Sequence, residues 1–218
     1  MHGLAEAADA LADRDDLCAV VLCATGRAFS LGLPDRVGWP PRPWPDGIAA
    51  IAALPMPVIA AVRGEARGWG MALALACDLR VVAGGAVFSL PQAGAGTLPG
   101  GGVTQRLARL VGPARAADLL LLGRRVSGRE AAAWGLASRA VAPGQVDAAA
   151  RRVAGALARR GPIALRYAKE AVVRALDLPL ADGIRLEHDL YVLLQTTTDR
   201  REGVQAFLER RPPRFEAR

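Results

Sequence analysis

The sequence predicts an α/β fold organised as a single domain. Three observations carry this. Residues 18–24 and 57–62 are short apolar stretches of the kind that form strands buried on both faces of a parallel sheet, and 78–83 (Asp-Leu-Arg-Val-Val-Ala) reads as a third strand. Segments with helical spacing alternate with these runs, and everything after Pro143 has helical spacing. Finally, 218 residues that are 52% apolar and 22% charged suffice for one sizeable core and exclude a disordered chain.

The elements follow in order. Residues 3–13 predict a short helix with Leu4, Ala7, Ala8 and Leu11 on one face, and residues 18–24 the first strand, ended by Gly26. Residues 34–45 hold Pro34, Pro40, Pro41, Pro43 and Pro45 with Trp39 and Trp44. That proline density forbids helix or central strand, and the tryptophans are expected to pin the loop to the core. Asp46 is a candidate N-cap for a helix reaching Leu54, which Pro55 and Pro57 stop. A second strand spans 57–62, a glycine-punctuated turn 64–70, a helix 69–77 and a third strand 78–83. Residues 84–102 are loop-rich, with a short strand at Val87 and Phe88. Helices are expected at 101–110 and 113–121. Ser127, after a strand-like Arg125 and Val126, caps a helix to Ala133, and a last strand covers 138–142. Four helices then span about 144–159, 162–175, 179–197 and 199–210. Leu186, Leu190, Leu193 and Leu194 share one face of the third. There is no linker, so residues 1–142 form the core and 143–218 a helical region of the same domain.

Charge and cysteine usage narrow the function classes. Basic residues exceed acidic ones by 28 to 21, a net charge of +7, and every basic residue except Lys169 is arginine. Such a balance allows nucleic acid or a small polyanion such as a nucleotide-bearing cofactor. The arginines form doublets spread along helices rather than a stripe, so a solvated surface is expected and a nucleic-acid partner is not. Cys18, Cys23 and Cys77 make neither a disulfide framework nor a metal-ligand pair. They are expected to be small buried apolar residues in a reducing compartment, and no metal is expected. No apolar run is long enough to span a membrane, and no basic segment leads into an apolar stretch at the N-terminus. A cytoplasmic location is the expectation.

Two glycine turns carry the chemistry. Gly26-Arg-Ala-Phe-Ser-Leu-Gly32 and Gly64-Glu-Ala-Arg-Gly68-Trp69-Gly70 each follow a buried strand, and the second opens a helix. Strand-end loops of parallel neighbours lie side by side, and a helix start exposes amide donors, so both turns can aim N–H groups at one ligand oxygen. Neither fits a P-loop or dinucleotide fingerprint.

These residues resemble a known family. Residues 24–32 (Ala-Thr-Gly-Arg-Ala-Phe-Ser-Leu-Gly) and 64–78 (Gly-Glu-Ala-Arg-Gly-Trp-Gly-Met-Ala-Leu-Ala-Leu-Ala-Cys-Asp) are similar to two signature segments of the enoyl-CoA hydratase/isomerase (crotonase) superfamily. Residues 97–107 (Thr-Leu-Pro-Gly-Gly-Gly-Val-Thr-Gln-Arg-Leu) resemble a third, and residues 123–136 and 207–215 also match the pattern. The resemblance implies a spiral of ββα turns with C-terminal helices that build a homotrimer or hexamer. It implies an acyl-CoA thioester as ligand, with coenzyme A arriving as part of the substrate and no permanently bound cofactor. It places the process in fatty-acid metabolism, as lyase or isomerase chemistry. The shared device is an oxyanion hole, two backbone amides that polarise the thioester carbonyl and stabilise an enolate. By position these are the amides of Leu33 and Trp69. Pro34, Asp35 and Arg36 stand where the family contacts pantetheine and phosphate.

The departures from the pattern are specific. The family's two hydratase glutamates fall on Ala72 and Gln92, and the isomerase aspartate on Gly100. Alanine and glycine move no protons, and glutamine orients water without titrating. Two-glutamate hydration is therefore not expected. Trp69 stands for the usual oxyanion glycine and Leu33 for an alanine, which predicts a tight, apolar pocket. Pro34 removes a further amide donor. The family's first hairpin is missing from the sequence: either the start is assigned too late or the chain is truly shortened, and in the second case an open sheet edge is expected. The alternative is a catalytically silent homologue serving as partner or scaffold. Among other candidates, Glu65 is expected to be an exposed turn carboxylate and His188 a packed or surface residue.

Overall fold

The computed structural model describes residues 2–32 and 46–218. In chain order these form α1 (His2–Ala12), β1 (Val20–Cys23), α2 (Gly47–Ala53), β2 (Val58–Val62), β3 (Glu65–Arg67), α3 (Trp69–Ala76), β4 (Leu79–Ala83) and β5 (Val87–Ser89). There follow α4 (Val103–Val111), α5 (Pro113–Leu121), β6 (Val126–Ser127), α6 (Gly128–Ala133) and β7 (Arg139–Val141). The chain ends in α7 (Val146–Leu157), α8 (Pro162–Arg174), α9 (Leu180–Gln195) and α10 (Thr198–Leu208). The proline loop with Trp39 and Trp44 lies outside the described residues.

Two small sheets organise the core. One is parallel, ordered β1-β2-β4-β7; the other is ordered β3-β5-β6, with β3 and β5 parallel and β6 antiparallel. All five residues of β2 are buried, as its apolar run demands at the centre of a parallel sheet. β1 is an edge strand and is only half covered. Helix α3 is apolar all round and correspondingly enclosed: Met71, Ala72 and Ala74 have no exposed surface.

Local chemistry explains the helix starts. The Asp46 carboxylate accepts from the amides of Ile48 (3.1 Å) and Ala49 (3.0 Å). Ser127 and Glu130 form a reciprocal capping box, and the Ser127 amide and hydroxyl hold the Glu130 carboxyl below its ordinary range. Pro113 and Pro162 open α5 and α8, where a missing N–H costs nothing.

Four expectations are corrected. Residues 64–70 are not a plain turn, because they contain β3, which pairs with β5. Cys77 is buried, and burial pushes its thiol up to about 12, but Cys18 is half-buried and Cys23 is exposed. Cys23 ends the edge strand, where no neighbour covers it. On α9 Leu190 is buried, whereas Leu193 is 51% exposed. Val172, Leu176, Leu180, Phe207 and Leu208 on the C-terminal helices and their connections are likewise mostly exposed. Glu65 is the fourth correction and belongs to the site.

A partly buried ion pair helps tie the C-terminal region to the core. Lys169 Nζ lies 2.7 Å from Asp78 Oδ2 and donates to the Met56 carbonyl at 3.0 Å. The same carboxylate oxygen accepts from the Val58 amide at 2.7 Å. One side chain thus fastens α8 beneath the starts of β2 and β4.

Candidate active site

The site begins where the loop after β1 meets β3. Ser30 bridges Ala66 in parallel: its amide donates to the Glu65 carbonyl (3.1 Å), and its carbonyl accepts from the Arg67 amide (2.9 Å). Beyond β3, Gly68 takes φ +53 and ψ −114, a conformation that a side chain would strain, and its amide donates to the Ser89 carbonyl at 2.9 Å. This turn launches α3, whose first residue is Trp69.

The two glycine turns do lie together. A Cβ built on Gly32 would stand 3.2 Å from the Trp69 nitrogen and 3.6 Å from the Trp69 Cβ. A Cβ on Gly70 would overlap the Ser30 carbonyl. Gly32 immediately precedes Leu33; Leu33, Pro34, Asp35 and Arg36 themselves lie outside the described residues.

Further side chains border this point. Gln92, after β5, lays its carboxamide on Gly68, where a Cβ would overlap the amide nitrogen. Its Oε1 is buried and meets no hydrogen-bond donor among the described residues. Such an orphaned acceptor costs roughly 1–3 kcal/mol until a ligand or water donates to it. The indole of Trp69 reaches the other way: a Cβ on Gly100 would stand 2.5 Å from its Cη2 and 2.7 Å from its Cζ2. Ala72, fully buried, stands behind. Its Cβ and the Ile48 Cδ1 would each lie 2.9 Å from a Cβ on Gly101. Sequence patterns missed Ile48 and Ser30 as parts of this wall. The glycine run 100–102 was the available signal, since glycine marks close approach by a bulky neighbour.

The electrostatics come from the backbone. A helix start carries partial positive charge and amides without intrahelical acceptors. At the other end of α3, buried Arg80 donates to the carbonyls of Ala74, Cys77 and Asp78, and to Leu136 beyond. No carboxylate is among these partners; burial pulls the guanidinium below its ordinary pKa, and the helix carbonyls compensate its charge. Trp69, Ala72, Gln92 and Gly100 offer no titratable proton, so their joint capability is to bind, orient and polarise.

Other candidates are placed elsewhere. Glu65 is a half-buried strand residue, not an exposed turn carboxylate: it accepts from the Ser89 hydroxyl (3.2 Å) and pairs with Arg125 (3.2 Å). Asp46 is occupied as the cap of α2. His188 is exposed on α9. A groove of about 520 Å³ opens between the end of α2 and α8, lined by residues that include Leu54, Pro55, Arg166 and Tyr167, and holds none of the site residues. Among the described residues no cluster of three or more histidine, cysteine or acidic groups could hold a metal. No helix among them is long and apolar enough to cross a membrane.

Comparison with known proteins identifies the family. The sequence family described as Enoyl-CoA hydratase/isomerase matches residues 1–218. The chain belongs to the enoyl-CoA hydratase/isomerase family. It is 47% identical over 169 residues to the human mitochondrial enoyl-CoA hydratase domain-containing protein 2, covering 76% of this chain and 58% of that one. Over 169 residues it is 44% identical to human mitochondrial methylglutaconyl-CoA hydratase, covering 76% and 50%. A crystal structure of enoyl-CoA hydratase from Bacillus anthracis superposes with a TM-score of 0.92 at 35% identity, covering 100% of this chain and 88% of that one. The curated sequence relatives, by contrast, are matched over only 50% to 63% of their own length. The family fold, two small sheets with a C-terminal helical region, is the one described above.

Proposed function

We propose that this protein binds an acyl-CoA thioester and holds its carbonyl between the amides of Leu33 and Trp69. The observation that carries this is the approach of Gly32, the residue before Leu33, to the Trp69 nitrogen. Two donors at such a point stabilise an enolate-like oxyanion, an effect of about 3–4 kcal/mol per donor. Coenzyme A enters as part of the substrate, with Pro34, Asp35 and Arg36 against its pantetheine and phosphate, and no other cofactor is needed. Ala72 and Gln92 stand at the family's glutamate positions. Neither moves a proton, so two-glutamate hydration gives way to other enolate- or oxyanion-stabilised chemistry: decarboxylation, which needs no added base, or isomerisation or thioester cleavage, in which water held by Gln92 carries the proton or acts as nucleophile. Gln92, with its unpartnered Oε1, orients water or substrate. The exposed apolar surface of the C-terminal helices supports a homotrimer or hexamer built through residues 143–218. The setting is the cytoplasm.

Calorimetric titration with CoA and acetyl-CoA tests the proposal. Binding tighter than about 1 mM, or −4 kcal/mol, is expected. Absence of binding to either would overturn it in favour of a silent homologue that acts as a partner or scaffold protein.

A further inference from the structure

Resting on that acyl-thioester assignment, we propose that the Trp69 indole limits the site to short acyl groups. One residue supplies both the amide donor and the wall. The Trp69 Cβ lies on the Gly32 side, while the far edge of its ring is pressed on Gly100, with Cζ3 3.4 Å from a Cβ built on Gly101. The ring therefore spans the gap between the two loops. It has no retreat toward the core, because the Ile48 Cδ1 and the Ala72 Cβ already crowd Gly101. The Gln92 carboxamide covers Gly68, the residue before Trp69.

An acyl chain leaving a carbonyl held at the Trp69 nitrogen thus meets an aromatic face, an amide and glycine backbone. Acetyl and similarly short groups fit against these. A longer chain must either lever out a half-buried indole or lie in water. In an open apolar pocket each added methylene strengthens binding; here the order inverts.

Titration of the full chain with acetyl-, butyryl- and octanoyl-CoA reads this directly. Acetyl- and butyryl-CoA are expected to bind at least tenfold more tightly than octanoyl-CoA. Trp69→Gly should reverse the order, and Trp69→Phe, which keeps a ring, should retain it. Wild-type affinity that stays level or rises with chain length would overturn the inference and leave the acyl-thioester assignment standing. Failure of acetyl-CoA to bind would overturn both. If Trp69→Gly does not fold, the wild-type order decides alone.

Discussion

Replacing Gly100 by alanine probes the ring of Trp69. The new methyl carbon would stand 2.5 Å from Cη2 and 2.7 Å from Cζ2. Ordinary carbon contacts lie at roughly 3.5–4.0 Å, so about 1 Å must be recovered. The clashing atoms are the far edge of a side chain, and rotation recovers part of the overlap. The crowding at Gly101 by Ile48 and Ala72 restricts the rest. Overpacking costs about 1–3 kcal/mol in general, and a partly movable ring places this case near 1.5 kcal/mol, roughly a tenfold loss in the folding constant. Trp69→Ala alone removes packing from a half-exposed ring and should cost about 2 kcal/mol, less than the roughly 3–5 kcal/mol of a fully buried one. In that background Gly100→Ala meets no indole and should be close to neutral. Urea denaturation of the four proteins, followed by circular dichroism, closes a double-mutant cycle with an expected coupling of about 1.5 kcal/mol. Additivity within about 0.5 kcal/mol would refute the contact, and with it the wall assigned to Trp69.

Three further outcomes are expected. Lys169→Met leaves Asp78 partly buried beside the Val58 amide without its cation, and should cost about 2–3 kcal/mol by chemical denaturation, somewhat below a fully buried pair. Glu202 is held down to about 2, chiefly by its hydrogen bonds with Arg211 and then by the Arg214 amide. Its folded pKa lies below an unfolded value of about 4.3, so its contribution is complete above that pH and is lost as pH falls toward 2. Amide protection factors in the C-terminal tail, corrected for the intrinsic pH dependence of exchange, should fall as the pH drops through that window in the wild type and change less in Glu202→Gln. With a thiol reagent at neutral pH, exposed Cys23 should label in the native protein while Cys77 labels only on unfolding; early labelling of Cys77 would contradict its burial.

Much of this molecule was legible before its coordinates. The apolar runs appeared as β1, β2 and β4, Asp46 and Ser127 as caps, and the C-terminal helices close to their expected bounds. These features depend on residues a few positions apart. The short strand β3 escaped because Glu65, Ala66 and Arg67 show no apolar run; they are extended only because Ser30 and β5 pair with them. Glu65 looked like a solvent-facing carboxylate for the same reason, since Ser89 and Arg125 reach it from distant segments. Leu193 shared a helical face with Leu190, yet nothing in the periodicity of α9 specifies how far the neighbouring elements cover it.

The candidate site divides along the same line. Residue order was enough to name the family, because family motifs are contiguous stretches of chain, and it nominated Leu33, Trp69, Ala72 and Gln92 as candidates. Tertiary packing alone directed the indole toward Gly100, laid the Gln92 carboxamide on Gly68 and buried Oε1 without a donor. Hydrogen-bonding and caps along a helix or strand are short-range and repeat with the backbone, so they are written locally. Where a side chain finds its neighbours is settled by close packing of segments far apart in sequence, which no local pattern encodes.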